Sequence, residues 1–352
     1  MAYTTVDNPS ATAFNTVLYT GNGSTNAITG VGFQPDFVWI KERNGASGHL
    51  FKDSVRGATP TLVSNSNGVE GDFSAYFTSF DSDGFTLPNN TASNESSSYN
   101  YVSWNWKMGT SFSNDASATS IGTIDSSGSI NTTAGQSIIS WTGTGSAATI
   151  AHGLGAVPTM IIVKNRDQND DWYIYNVHNG NTHSIILNST GAKVGAYSDN
   201  WNNTTPTSTV FSVGGSHATS GGSSEKMIAY CFTDIKGYSK FGSYTGNGEE
   251  SGKGPYINLG FRPAFFLLKE TSGSDNWTIM DTKRLGYNPR NDHLFPNATT
   301  TEYATDRIEM LSNGIKIRDS DGSINQSGST YIYMAFAEAP LVNSNGVPVN
   351  AR

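Results

Sequence analysis

Three apolar runs, each opened by proline and closed by lysine, punctuate the chain: PDFVWIK (35–41), PTMIIVK (158–164) and PAFFLLK (263–269). Apolar residues at consecutive positions predict strands buried on both faces. Proline stands at the head, where a strand can lack its first donor. A second set of runs begins 66, 69 and 68 residues after each proline: YVSWNW (101–106), MIAYCF (227–232) and YIYMAF (331–336). Alternation places Val102, Trp104 and Trp106 on one face, matched by Ile228, Tyr230 and Phe232 and by Ile332, Met334 and Phe336. The other face carries small residues such as Ser103, Ala229 and Ala335, which leaves room for a second layer. Trp39, Trp104 and Trp106 are predicted to be core.

Other landmarks keep the same order. An aromatic residue, threonine and a Gly-rich turn precede each proline, as YTGNG (19–23), WTGTG (141–145) and YTGNG (244–248). Gly and Asn tolerate positive φ, so these read as hairpin turns. Fourteen residues after the prolines stand His49, Trp172 and Trp277, and eighteen after them Asp53, Asn176 and Asp281. Arg56 and Arg284 follow three residues later in the first and third copies. No window of a dozen residues has a 3.6-residue apolar period. The expectation is an all-β protein of three tandem antiparallel β-sandwich repeats, at 16–108, 138–234 and 241–338. Residues 1–15 form an N-terminal arm and 339–352 a C-terminal tail. The Ser/Thr/Gly-rich connector 109–137 has the composition of a flexible linker, although Ile121, Ile124 and Ile130 point to a short hairpin. Only DIKGYSK joins the second and third repeats. Those two are therefore predicted to form one rigid unit, with the first repeat placed more loosely.

Composition sharpens this picture. Charged residues make up 14% of the chain, against about 25% in an average globular protein. The formal charge is −8 and there is no basic run, so nucleic acid and anionic membranes are not expected partners. The N-terminus MAYTTVDNPS lacks the pattern of a Sec signal peptide, and no stretch has the roughly 18 apolar residues of a membrane span. Cys231 is the single cysteine, read as a small buried side chain. Surface chemistry that looks extracellular, without export signal or disulfides, fits a virion protein assembled in the host cytoplasm.

The stretches TAGQSIISWTGTG, HGLGAVPTMIIVKNR, WNNTTPTSTVFSVG, GYSKFGSYTGNG, GFRPAFFLLK and YIYMAFAEAPLVNSNGVPVNAR resemble the tandem-repeat virion proteins of marine tailed phages. GFQPDFVWIKERN, HLFKDSVRG and FDSDGFTL in the first repeat are similar to another module of the same proteins. The resemblance runs from Thr16 onward. It implies a phage structural protein, tail-associated or fibre-like, with lectin-like or jelly-roll-like sandwiches. It carries over no catalytic or ligand residue.

Candidate chemistry is sparse. DSDG at 81–84 and 319–322 offers carboxylates to Ca²⁺, but the copies sit at different offsets and read as turns. His178 and His183 lie five apart on a Gly/Asn-rich loop, and no His-x-His pair occurs. Asp170 with Asp171, and Glu249 with Glu250, are candidate pairs for glycoside hydrolysis, although adjacent loop carboxylates are usually solvated. No nucleophile elbow, HExxH or phosphate loop is present. No catalytic, metal or cofactor site is assigned. The candidate ligand residues are Trp201, Trp172 and Tyr173, aromatics able to stack on sugar rings. Trp201 is the better candidate for exposure, and Trp172, aligned with Trp277, reads as packing. The expected function is a tail-fibre adhesin that contacts host surface glycan, bound to other virion proteins and trimeric. The alternative is a head decoration, knob or tail accessory protein.

Overall fold

Each proline-led run becomes an inner strand of a larger antiparallel sheet. The computed structural model describes residues 3–72, 75–90, 92–195, 197–284, 288 and 291–348, and the end of the tail, 349–352, lies outside them. In the first sheet the order is Phe14–Thr20, Asn100–Trp106, Phe37–Glu42, Leu50–Asp53, Gly57–Val63 and Gly71–Asp72. The third sheet has the equivalent order: Ser239–Thr245, Thr330–Pro340, Phe261–Glu270, Thr278–Asp281, Asn291–Leu294 and Tyr303–Thr305. The second starts Gln136–Thr142, Lys226–Phe232, Met160–Asn165 and continues through Tyr173–Asn176, His183–Ile186 and Val194–Gly195. The protein is all-β, and its few helices among the described residues are single turns of four residues.

Register is repeated as well as order. Phe37 lies opposite Trp106 and Trp39 opposite Trp104. The same positions pair Met160 with Phe232 and Ile162 with Tyr230, then Phe265 with Phe336 and Leu267 with Met334. Proline precedes the strand by two residues in the first two copies. In the third, Pro263 falls inside a longer strand, and the register shifts on both sides of it, as an irregularity must where a ladder donor is missing.

The connector is not a flexible linker. Thr110–Asn114 and Ser126–Asn131 form the hairpin that the isoleucines pointed to, and it extends the second sheet to eight strands by pairing with Gln136–Thr142.

Strand alternation explains why these runs are apolar on both faces. Val38, Ile40 and Leu50 turn toward a small sheet carrying Ile28, Phe85 and Leu87. Ile139, Ile161, Val163, Ala229 and Cys231 do the same over Ile150, Phe211 and Val213. The alternate residues point the other way, into one core shared by all three units. There Trp106 lies 5.6 Å from Phe265 and 5.6 Å from Phe336, Phe37 lies 4.5 Å from Tyr230, and Phe232 lies 5.9 Å from Phe336 (ring centroids). Trp39, Trp104 and Trp106 are buried, as expected. The loose placement of the first repeat is overturned: its aromatic face packs on both of the others. The N-terminal arm reinforces this. Tyr3 donates to the Gly260 carbonyl (3.1 Å), Thr5 to that of Thr133 (2.9 Å), and Val6 is buried in the shared core.

The lysine that ends each run caps the sheet. Lys41, Lys164 and Lys269 are buried and donate to the carbonyls of Glu42, Asn165 and Glu270 at 2.6, 2.5 and 2.7 Å. Lys41 also reaches Thr299 (3.3 Å) and Lys269 reaches Thr190 (3.0 Å), both in a neighbouring unit. Burial is the main cause that lowers all three from 10.5 to about 8. Between about pH 8 and 10 the unfolded chain therefore binds more protons than the folded one, and stability rises with pH. Above pH 10 the trend reverses, because burial raises Tyr19, Tyr230, Tyr238 and Tyr244 and so favours proton release on unfolding. The urea midpoint is expected to be higher at pH 9.5 than at pH 7.5; a flat or falling profile would remove this account.

Candidate functional site

The residues at fixed offsets from proline meet at the seams between units. Eight residues past each proline stand Arg43, Arg166 and Thr271. Each accepts a backbone hydrogen bond from another unit: from Glu302 (2.7 Å), Glu70 (2.7 Å) and Lys193 (3.0 Å) respectively. In two seams an ion pair is added. Arg43 grips Glu302 at 2.7 and 3.0 Å, and Arg166 grips Glu70 at 2.6 and 2.9 Å. The same glutamates take Arg284 (2.9 Å) and Arg56 (3.0 Å). Those arginines are buried, and each also donates to its own aspartate, Asp53 at 2.5 Å or Asp281 at 2.6 Å. The aspartates then accept from the neighbouring unit, Asp53 from the Tyr230 hydroxyl (2.7 Å) and Asp281 from Trp104 Nε1 (3.0 Å). Buried charge is tolerable only with such full pairing.

The seam between the second and third units has lost this network. Asn176 and Asn179 stand for Asp and Arg, Met334 for the donor, Lys193 for Glu and Thr271 for Arg. The side-chain nitrogens of Asn176 and Asn179 have no hydrogen-bond partner. Restoring an ion pair there with Lys193→Glu and Thr271→Arg together is expected to raise stability by up to about 1 kcal/mol. Urea unfolding of the double variant against each single checks it, since either single alone gains no partner.

Trp172 and Trp201 are corrected as stacking residues. Trp172 is buried, and its Nε1 donates across a seam to the carbonyls of Val63 (3.0 Å) and Ser66 (3.2 Å). Trp277 repeats the contact on Ile186 (2.9 Å), so the packing reading of this position holds. Trp201 is 1% exposed; it donates to Ser184 Oγ (2.8 Å) and packs edge-on against Tyr175. Its polar sequence neighbours gave a misleading signal, because the loop folds the ring inward over the small sheet. Tyr173 is half-buried, paired opposite Ile186. Burial raises its pKa first, then Asp171 and Asp170.

The other candidates are dispersed. Asp81 and Gly84 close a hairpin, whereas Asp321 of the second DSDG caps a helical turn by accepting from Ser323 N (2.9 Å). His178 reaches the Phe241 carbonyl (3.3 Å), and His183 contacts the Thr182 hydroxyl (2.9 Å). Asn165 and Asn188 engage Asp170 (3.4 Å) and Asp171 (2.7 Å), and Ser320 engages Glu250 (2.6 Å). Cys231 is buried, and its thiol is pushed up to about 12 by that burial. Among the described residues no group of three His, Cys, Asp or Glu side chains is placed to hold a metal ion.

One concave feature was not anticipated. A groove of about 600 Å³ runs between the first unit and the connector hairpin, lined among others by Asp36, Ser54, Lys107, Phe112, Ser127 and Ser129. Asp36 sits at its base, 7% exposed. Its carboxylate accepts from Ser54 Oγ (2.6 Å), Met108 N (2.9 Å) and Ser129 Oγ (3.4 Å). Burial raises its pKa against these hydrogen bonds. Phe112 is half-buried; Gly153, at φ 70°, leaves space for its ring, since a Cβ there would come within 2.8 Å of Phe112 Cδ2. One sequence signal was available. Only the first proline is followed by a carboxylate, where the other copies have Thr159 and Ala264.

No curated protein matches the chain. A family profile does, over residues 9–340, which takes in all three units and the connector. The chain belongs to the family described as a domain of unknown function, DUF7483.

Proposed function

We propose that the chain is a non-catalytic structural component of a phage virion, built as a preassembled module of three lectin-like sandwich repeats. The observation that carries this reading is the cyclic set of seams. The chemically versatile residues, five of the seven tryptophans and the Asp–Arg pairs among them, line the shared core and its seams and hold unit against unit. A heterologous interface that closes on itself is how a homotrimer is made, and here three copies in one chain supply it. That favours a monomer of 37.6 kDa over the trimer expected from the resemblance, and light scattering on the purified protein decides between them. The virion assignment rests on the resemblance and on the low-charge composition. Antibody labelling of purified particles in electron micrographs tests it: label on head or tail supports it, and absence from particles sinks it.

A second reading, an adhesin for host surface glycan, is favoured by the hydroxyl-lined groove between the first unit and the connector hairpin. Competition of virion adsorption by purified protein separates the two, because a purely structural component does not compete.

A further inference from the structure

We propose that the seam between the second and third units binds a small monovalent anion, of the size of chloride, held by the side-chain nitrogens of Asn176 and Asn179. The proposal concerns this seam alone and does not rest on a virion location.

The three seams follow one plan, so each can be compared with the others. In the first unit Asp53 Oδ2 accepts from Arg56 Nε (2.5 Å) and from the Tyr230 hydroxyl of the next unit (2.7 Å). In the third, Asp281 Oδ2 accepts from Arg284 Nε (2.6 Å) and Trp104 Nε1 (3.0 Å). The second unit keeps the backbone of this turn. His178 N donates to Asn176 Oδ1 (2.9 Å), just as Lys283 N donates to Asp281 Oδ1 (3.0 Å). That bond fixes the orientation of the amide, because a turned amide would set its NH₂ group against the His178 N–H. Asn176 therefore presents a donor, Nδ2, where its counterparts present the acceptor Oδ2.

Asn179 presents a second donor in the place of the arginine. Asn176 is 0% and Asn179 8% exposed, and neither Nδ2 has a hydrogen-bond partner. A buried donor without an acceptor carries its full desolvation cost, so this pair selects an acceptor. Charge selects which one. Asp53, Arg56, Glu70 and Arg166 sum to zero (−1 + 1 − 1 + 1), whereas Asn176, Asn179, Lys193 and Thr271 sum to +1. An anion meets both needs; water would meet only the first. Asp234, the carboxylate that interacts with His178, is already taken up by Phe241 N (2.9 Å) and Thr159 Oγ1 (3.4 Å). Size favours a single ion. Asn179 gives up the guanidinium that in Arg56 reaches Glu70 (3.0 Å) and the Phe51 carbonyl (2.9 Å). Met334 likewise replaces the aromatic ring of Tyr230 or Trp104.

The test uses the full chain with chloride as the probe, exchanged for gluconate at constant ionic strength. Binding to the folded state alone raises stability in proportion to occupancy. The thermal midpoint of the wild type is therefore expected to rise by about 2 °C from chloride-free to chloride-rich buffer. Asn176→Asp returns a carboxylate oxygen to the ion's place and is expected to abolish the response. Asn179→Leu removes one donor and Lys193→Met the charge, and each is expected to weaken it severalfold. Lys253→Met, also an exposed lysine but outside the seam, is expected to respond as wild type. Near-UV circular dichroism checks that each variant is folded. Crystals grown in bromide supply a second readout, an anomalous peak between Asn176 and Asn179. A wild-type midpoint indifferent to chloride would overturn the proposal. So would an undiminished response in folded Asn176→Asp, or a water molecule at that position in bromide.

Discussion

Arg56→Ala is expected to destabilise the protein by about 3–5 kcal/mol, the usual consequence of leaving a buried charge without its partner. Arg56 is fully buried between Asp53 and Glu70, and its guanidinium also donates to the Phe51 carbonyl at 2.9 Å. Its removal leaves Asp53 with only the Tyr230 hydroxyl and a backbone amide. The second unit already shows how the site looks without charge, with Asn176 and Asn179 at the equivalent positions. The double variant Asp53→Asn/Arg56→Asn copies that arrangement and is expected to cost less than the single Arg56→Ala. Urea unfolding reads both. A single variant that costs under about 1 kcal/mol, or a double that costs more than the single, would remove the pairing argument.

Trp106→Ala is the second large effect, also about 3–5 kcal/mol. The indole packs against Phe14 and Phe37 in its own unit and against Phe265 and Phe336 in the third, with centroids between 4.9 and 5.6 Å. A cavity at this position therefore loosens the shared core of more than one unit. Trp106→Phe makes a sharper test. Phe232 and Phe336 occupy the equivalent positions, and Trp106 Nε1 has no hydrogen-bond partner. Phenylalanine removes an unsatisfied donor along with some volume, so the cost is expected to stay under about 1.5 kcal/mol. Thermal unfolding of both variants measures the contrast, and a Trp106→Phe cost equal to that of Trp106→Ala would mean that the ring is not packed as described.

The strands were legible because they obey a local rule. Proline, an apolar run and lysine recur at fixed spacing, and period-two alternation in YVSWNW, MIAYCF and YIYMAF correctly separated Trp104 and Trp106 from Ser103. What the sequence did not disclose is which surface each face meets. A strand apolar on both sides reads as interior to its own repeat, whereas here one side meets the small sheet and the other meets two neighbouring units. The clue lay in the surplus: one sandwich has no use for a second aromatic face, nor for a buried Asp–Arg pair repeated at the same offset. Linker length misled in the opposite direction. Twenty-nine residues of connector suggested a mobile first repeat, but contact between faces does not depend on the length of chain between them. Trp201 failed for a related reason, since polar neighbours describe the loop backbone and not the direction of the ring. The groove was out of reach because Asp36 and Ser129 are brought together only by the fold.

The Ser344 amide donates to Asp7 at 2.7 Å, so the arm that enters the first unit meets the segment that leaves the third. Chains whose two ends lie side by side tolerate circular permutation. A short peptide joining 348 to 3, with a new opening in the join at 235–237, would leave every strand in place and disturb only the local contacts of Ile235 and Lys236. It would also change which seam is bridged only by non-covalent contact. The tether would pass to the Arg43–Glu302 seam, and the ion-pair-poor seam at Asn176 and Lys193 would have to hold by packing alone. The difference in unfolding free energy between the two connectivities would then measure the strength of that seam in isolation.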